Sequence, residues 1–151
     1  METKDQNIKD RVRKNTSAEK NNKIDQETKS NVKGSRKLTK KEITLRLEEL
    51  RKEWDIERMF EVNAASISLA SLILGTMVNK RWFALSGIVA GFLLQHGLQG
   101  WCPPLPLFRS MGYRTRQEID EEIYALKALR GDFDTISASS KTEEVLEGIR
   151  S

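Results

Sequence analysis

Acidic residues are missing between Val62 and Gln117, and from Val62 to Phe108 the only charged residues are Lys80 and Arg81. That stretch therefore holds no carboxylate pair for general acid–base chemistry. The chain has one Cys and one His, Cys102 and His96. A single Cys cannot close an internal disulfide, so nothing marks a secreted disulfide scaffold. Proline occurs only at Pro103, Pro104 and Pro106. The first thirty residues lack an apolar run of signal-peptide type, so no cleaved leader is expected.

The charge that is present is uneven. Residues 1–40 carry 12 Lys/Arg and 6 Asp/Glu, a net +6, against +4 for the whole chain of 151 residues. The basic character thus belongs to one segment. Residues 1–38 have no aromatic residue and only isolated aliphatics such as Ile8, Val12 and Ile24. That composition predicts a disordered basic tail over 1–38, since too little apolar surface is available to offset chain entropy. With acids interleaved and no ring to stack on bases, no nucleic acid is expected. The tail reads either as a solvated segment or as one that touches anionic lipid.

Residues 39–60 predict an amphipathic helix. Thr39 and Glu42 form a capping pair, and Ile43, Leu47, Leu50 and Trp54 follow at helical spacing. Such a face suits a membrane surface, a partner helix or a short coiled coil.

Two apolar runs come next. "VNAASISLASLILGTMV" is followed by "NKR" and then "WFALSGIVAGFLLQHGLQGW". Each is near the lower limit of the roughly 17–25 residues that cross a bilayer. Trp82, Phe83 and Trp101 sit at the ends of the second run, where indoles favour the interface. A three-residue polar link predicts an antiparallel transmembrane hairpin over 61–112. Lipid leaves an unpaired backbone group costly, so the link must sit outside the hydrocarbon. Arg46, Arg51, Lys52, Arg58, Arg109, Arg114 and Arg116 flank the spans, against Lys80 and Arg81 in the link. The positive-inside bias puts both termini in the cytoplasm. The fold class expected is an all-α membrane protein, multi-pass in a bacterial inner membrane. A C-terminal amphipathic helix over 113–131 is expected from the Thr115/Glu118 pair, from Ile119, Ile123, Leu126 and Leu129, and from Gly131 just past its end. A flexible tail is expected over 132–151.

Small residues form two stripes. Ala64, Ser68, Ser71 and Gly75 line the first span, and Gly87 and Gly91 the second. Close backbone approach in lipid favours such positions. One stripe is expected to seal the hairpin; the other is open to self-association. Asn63, Gln95, His96, Gln99 and Cys102 are expected to gather as a polar or thiol cluster at the cytoplasmic end. His96 and Cys102 give only two ligands, short of the four of a zinc site, so no metal and no cofactor are expected. Cys102 follows a helix C-terminus, where the dipole disfavours a thiolate. The prolines and glycines around it read chiefly as a helix stop.

"FEVNAASISLASLILG" and "RWFALSGIVAGFLLQHGLQGWCPPLPLFRSMGYRTRQEID" resemble the YgaP-like transmembrane domain family. The resemblance covers about residues 60–112. Asn63, Gly87 with Gly91, and Gly100-Trp101-Cys102-Pro103 carry it. It implies a largely uncharacterised two-span inner-membrane domain. In some family members this domain anchors a rhodanese, a sulfurtransferase that this chain lacks. The expected function is that of a small, non-enzymatic membrane protein: a self-associating hairpin that presents cytoplasmic helices to a protein partner. The alternative is a sulfur- or redox-handling factor acting through Cys102.

Overall fold

The computed structural model describes residues 10–134, 136–137 and 140–150. Among them the chain is all-helical: α1 (Arg11–Lys14), α2 (Ala18–Ser35), α3 (Lys40–Lys52), α4 (Ile56–Met77), α5 (Trp82–Gln99), α6 (Leu105–Ser110), α7 (Arg116–Arg130) and α8 (Thr142–Arg150). They belong to two compact units, one of residues 1–24 with 54–117 and one of 25–53 with 118–151.

In the second unit the two helices expected to be amphipathic find each other. Thr39 and Glu42 form the reciprocal cap, with Thr39 N–H donating to Glu42 at 2.8 Å. Ile43, Leu47 and Leu50 of α3 are buried against Ile119, Ile123 and Leu126 of α7. The apolar face of 39–60 is thus covered by the chain's own α7, not left for a lipid surface or a coiled coil. Each such side chain contributes roughly 1.5–3 kcal/mol by leaving water. Leu129 stays exposed, at the edge of that face. Glu122, fully buried, accepts from Arg46 at 3.1 Å and from Asn31 of α2 at 3.4 Å. Gly131 ends α7 at φ 92°, as its position predicts.

The helix expected over 39–60 is two helices. Glu53 is extended at φ −61°, ψ 136°, and Asp55 caps a new start by accepting from Arg58 N–H at 2.7 Å. Trp54 lies in the break, outside the core, with Arg58 stacked 4.3 Å above its ring.

In the first unit α4 and α5 pack side by side, joined by the turn Val78–Arg81. The register is antiparallel: Gly75 meets Phe83 at one end and Phe60 meets His96 at the other. Among the described residues one segment, Lys40–Met77, which includes the break at Glu53–Asp55, is long and apolar enough to cross a membrane, and α4 is its apolar part. The second expected span falls short on that measure, because α5 ends in Gln95, His96 and Gln99. Among the described residues one candidate span is therefore found, by length and composition alone.

Two terminal expectations also change. The segment expected to be a disordered tail over 1–38 is helical over Arg11–Lys14 and Ala18–Ser35, with Val12 and Ile24 buried. The tail expected to be flexible over 132–151 contains α8. Residues 1–9, 135, 138, 139 and 151 of those two tails lie outside the described residues.

Candidate functional site at the base of the helix pair

Gly100 turns α5 off. It adopts φ 72°, a left-handed conformation natural to glycine, and its N–H returns to His96 O at 2.7 Å. Pro103 and Pro104 follow, and α6 begins with Pro106 in its first turn, where the missing N–H costs nothing. The stretch is therefore a helix stop and restart, and it folds Cys102 inward.

Cys102 is 2% exposed, in a cluster with Val12, Ile56, Phe60 and Leu105. Burial pushes its thiol pKa up, opposed in part by the N–H of Leu105. A protonated, enclosed thiol is a poor nucleophile.

Of the five residues expected to cluster, three do so. Asn63, His96 and Cys102 line one apolar cleft of about 240 Å³, together with Phe60, Phe92 and Phe108. Gln95 and Gln99 are not among its lining residues. The Gln99 carbonyl instead accepts from Asn15 at 2.9 Å. The Asn63 amide donates back to Met59 O at 2.7 Å. The Nδ1 atom of His96 is buried and has no hydrogen-bond partner. Among the described residues no three of His, Cys, Asp and Glu converge to hold a metal ion.

The small-residue stripes are separated by the packing. Ser71 and Gly75 are buried, and a Cβ at Gly75 would lie 2.6 Å from the Phe83 ring. Ala64 and Ser68 are half-buried along the same face. The α4 stripe is consumed inside the pair at its Ser71–Gly75 end. Gly87 and Gly91 are open, with nothing near where a Cβ would stand.

Residues 10–21 form the part of the site that sequence reasoning missed. Arg11 donates to the carbonyls of Gly97 and Leu98, and Asn15 to that of Gln99. These are end carbonyls of α5 that have no partner within the helix. Lys20 donates to Pro106 O at 2.7 Å, Arg109 to Asn21 at 2.8 Å, and Thr115 to Asp10 at 2.6 Å. Side chains that serve helix-end carbonyls need no apolar period, so only Val12 carried a signal.

Beside this strap is a second cavity, of about 420 Å³, with charged and apolar lining residues. Glu57, Glu61, Arg11, Arg116 and His96 line it. Glu57 Oε2 is buried without a hydrogen-bond partner. Desolvation raises the Glu57 pKa, and the charges of Asp55 and Asp10 add to the rise.

No family model matches the chain, and neither a curated protein nor a solved structure shows detectable similarity to it. The resemblance to YgaP-like domains therefore rests on the quoted residues alone.

Proposed function

We propose that this chain is a small, non-enzymatic protein of a bacterial inner membrane. Its α4, from Val62 onward, and its α5 cross as a hairpin, with both termini cytoplasmic, and it self-associates through Gly87 and Gly91. The observation that carries the reading is the contrast between two surfaces. Leu69, Met77, Ile88, Leu94 and Leu98 are all more than half exposed along α4 and α5, whereas the flanking helices close an ordinary buried core. An apolar exterior of that extent suits lipid, not water.

Topology supports two crossings. The core of the second unit joins Ile43, Leu47 and Leu50, which precede α4, to Ile119, Ile123 and Leu126, which follow α5. One crossing would leave those halves in different compartments; an even number leaves them together. Gln95, His96 and Gln99 fall at the end of α5, where headgroups and water can meet them. The G-x-x-x-G face supports self-association because it is outward, open and unused within the pair. The helices around the soluble core are the surface offered to a protein partner. The enclosed thiol gives the redox alternative no support.

Carbonate washing of membranes that hold the full chain tests the location, and retention in the pellet is expected. Crosslinking in those membranes tests assembly. Dimers in wild type that vanish in Gly87→Leu and Gly91→Leu are expected. A chain stripped by carbonate overturns the membrane reading, and a monomer indifferent to both substitutions overturns self-association.

A further inference from the structure

The cavity beside the strap is lined by residues of both charges. Glu57 and Glu61 are one turn apart on the same face of α4, so both carboxylates serve one wall. Arg11 and Arg116 line the same cavity, and Leu93 adds an apolar patch. A ligand that satisfies both charges needs a cation and an anion separated by a short linker. A metal ion or a simple anion would satisfy only one.

Position narrows the source. Glu61 immediately precedes Val62, the first residue of the acid-free stretch, and Trp101 follows Gly100, which also lines the cavity. In a membrane hairpin this is the depth of the lipid headgroups. We propose that the cavity binds the headgroup of a zwitterionic phospholipid with a primary amine, of the phosphatidylethanolamine class. The ammonium sits against Glu57 and Glu61, and the phosphate against Arg11 and Arg116. The inference rests on the membrane reading.

Two details set the specificity. Glu57 Oε2 is buried and lacks a hydrogen-bond donor. A primary ammonium donates three N–H groups and satisfies it, whereas a quaternary choline has none to donate. A glycerol headgroup brings no cation to the carboxylate wall. The strap that contributes Arg11 is held by Asp10 to Thr115 and by Asn15 to Gln99, so the phosphate side is fixed in place before the lipid arrives.

The test is native mass spectrometry of the full chain from micelles doped equally with phosphatidylethanolamine, phosphatidylcholine and phosphatidylglycerol. Retention of the ethanolamine lipid about tenfold above the other two is expected, the value of one hydrogen bond to a charged group. Glu57→Gln with Glu61→Gln should bring it to the choline level while helix content by circular dichroism stays unchanged. Equal retention of the three lipids, or a preference that survives both substitutions, overturns the proposal. Soluble O-phosphoethanolamine in place of lipid separates the sources: a chain that binds it but retains no lipid overturns the lipid assignment. Carbonate washing of the membranes from which the chain is extracted separates the two readings. A chain that stays in the pellet without headgroup preference loses only this inference; one that washes off loses both.

Discussion

The rings of Phe60 and His96 meet with centroids 4.3 Å apart, tilted by 50°. That contact ties the start of α4 to the end of α5, and Phe108 joins it edge-on, 5.1 Å from Phe60. At the far end, Gly75 leaves room for the Phe83 ring. The pair is therefore pinned at both ends by aromatic rings, with small residues between.

Glycine substitutions should sort by face. Gly75→Ala drives a methyl group into Phe83 and is expected to destabilise the helix pair by about 1–3 kcal/mol, the range for an overpacked core. Gly87→Ala meets nothing and should leave the pair's stability unchanged within about 0.5 kcal/mol. Thermal melts followed by circular dichroism in the same detergent compare them directly. A Gly75→Ala protein as stable as Gly87→Ala would contradict the observed packing.

Gly100 is under two constraints. It needs φ 72°, and α1 runs hard against it at Arg11. Gly100→Ala should cost about 1–2 kcal/mol from the backbone alone. It should also push α1 off the end of α5. Cys102, enclosed partly by Val12, is the reporter. In the wild type its alkylation by maleimide at neutral pH should be slower than in the unfolded chain, and Gly100→Ala should accelerate it. Equal rates in the folded and unfolded wild type would show the thiol to be open.

The ion pair between Arg46 and Glu122 is unequal. The Glu122 side chain is fully buried, whereas that of Arg46 is 34% exposed. Arg46→Ala removes a charged donor from an enclosed carboxylate and should destabilise the α3–α7 core by about 1–3 kcal/mol. Glu122→Gln keeps a partner for Arg46 and Asn31 and should cost less. Urea titration of both variants orders them.

Glu57 gives a signed pH response. Its folded pKa lies above the ordinary 4.5, with burial the largest cause. Below that ordinary value both states are protonated. As pH rises past it, the unfolded chain ionises first, so this group's contribution to stability falls until the folded carboxyl also ionises. Glu57→Gln should remove that fall and be the more stable protein at neutral pH. Unfolding free energies of both proteins from pH 4 to pH 8, compared at each pH, read the difference. A variant that loses stability relative to wild type as pH rises would reverse the sign.

Features with a local chemical signal are legible in the amino-acid order: the cap of Thr39 with Glu42, the stop at Gly131, and the turn at Asn79 between two apolar runs. The faces Ile43–Leu47–Leu50 and Ile119–Ile123–Leu126 are legible as faces. That they cover each other is not, because periodicity names a surface without naming its partner. The break at Glu53–Asp55 is hidden by helix-forming neighbours, and a side-chain cap at Asp55 overrides the pattern. The strap from Asp10 to Asn21 is invisible for a different reason. Its polar side chains act on backbone carbonyls of α5 and α6, so its composition matches that of a solvated tail. In the candidate site, helical spacing sets Gln95, Gln99 and Cys102 on one stripe with His96 on the adjoining face, whereas the apolar cleft is lined by Asn63, His96 and Cys102. Gln95 and Gln99 are not among its lining residues, since position along α5 alone does not say which residues face that cleft.

The divided core also governs the order of assembly. Ile43, Leu47 and Leu50 leave the ribosome well before Ile119, Ile123 and Leu126 exist, and the whole apolar pair is synthesised in between. Half a core must wait while the apolar pair between the two halves is made. The core between α3 and α7 consequently cannot close until α7 is made, and a ribosome stalled before residue 119 would carry a helix with nothing to bury against.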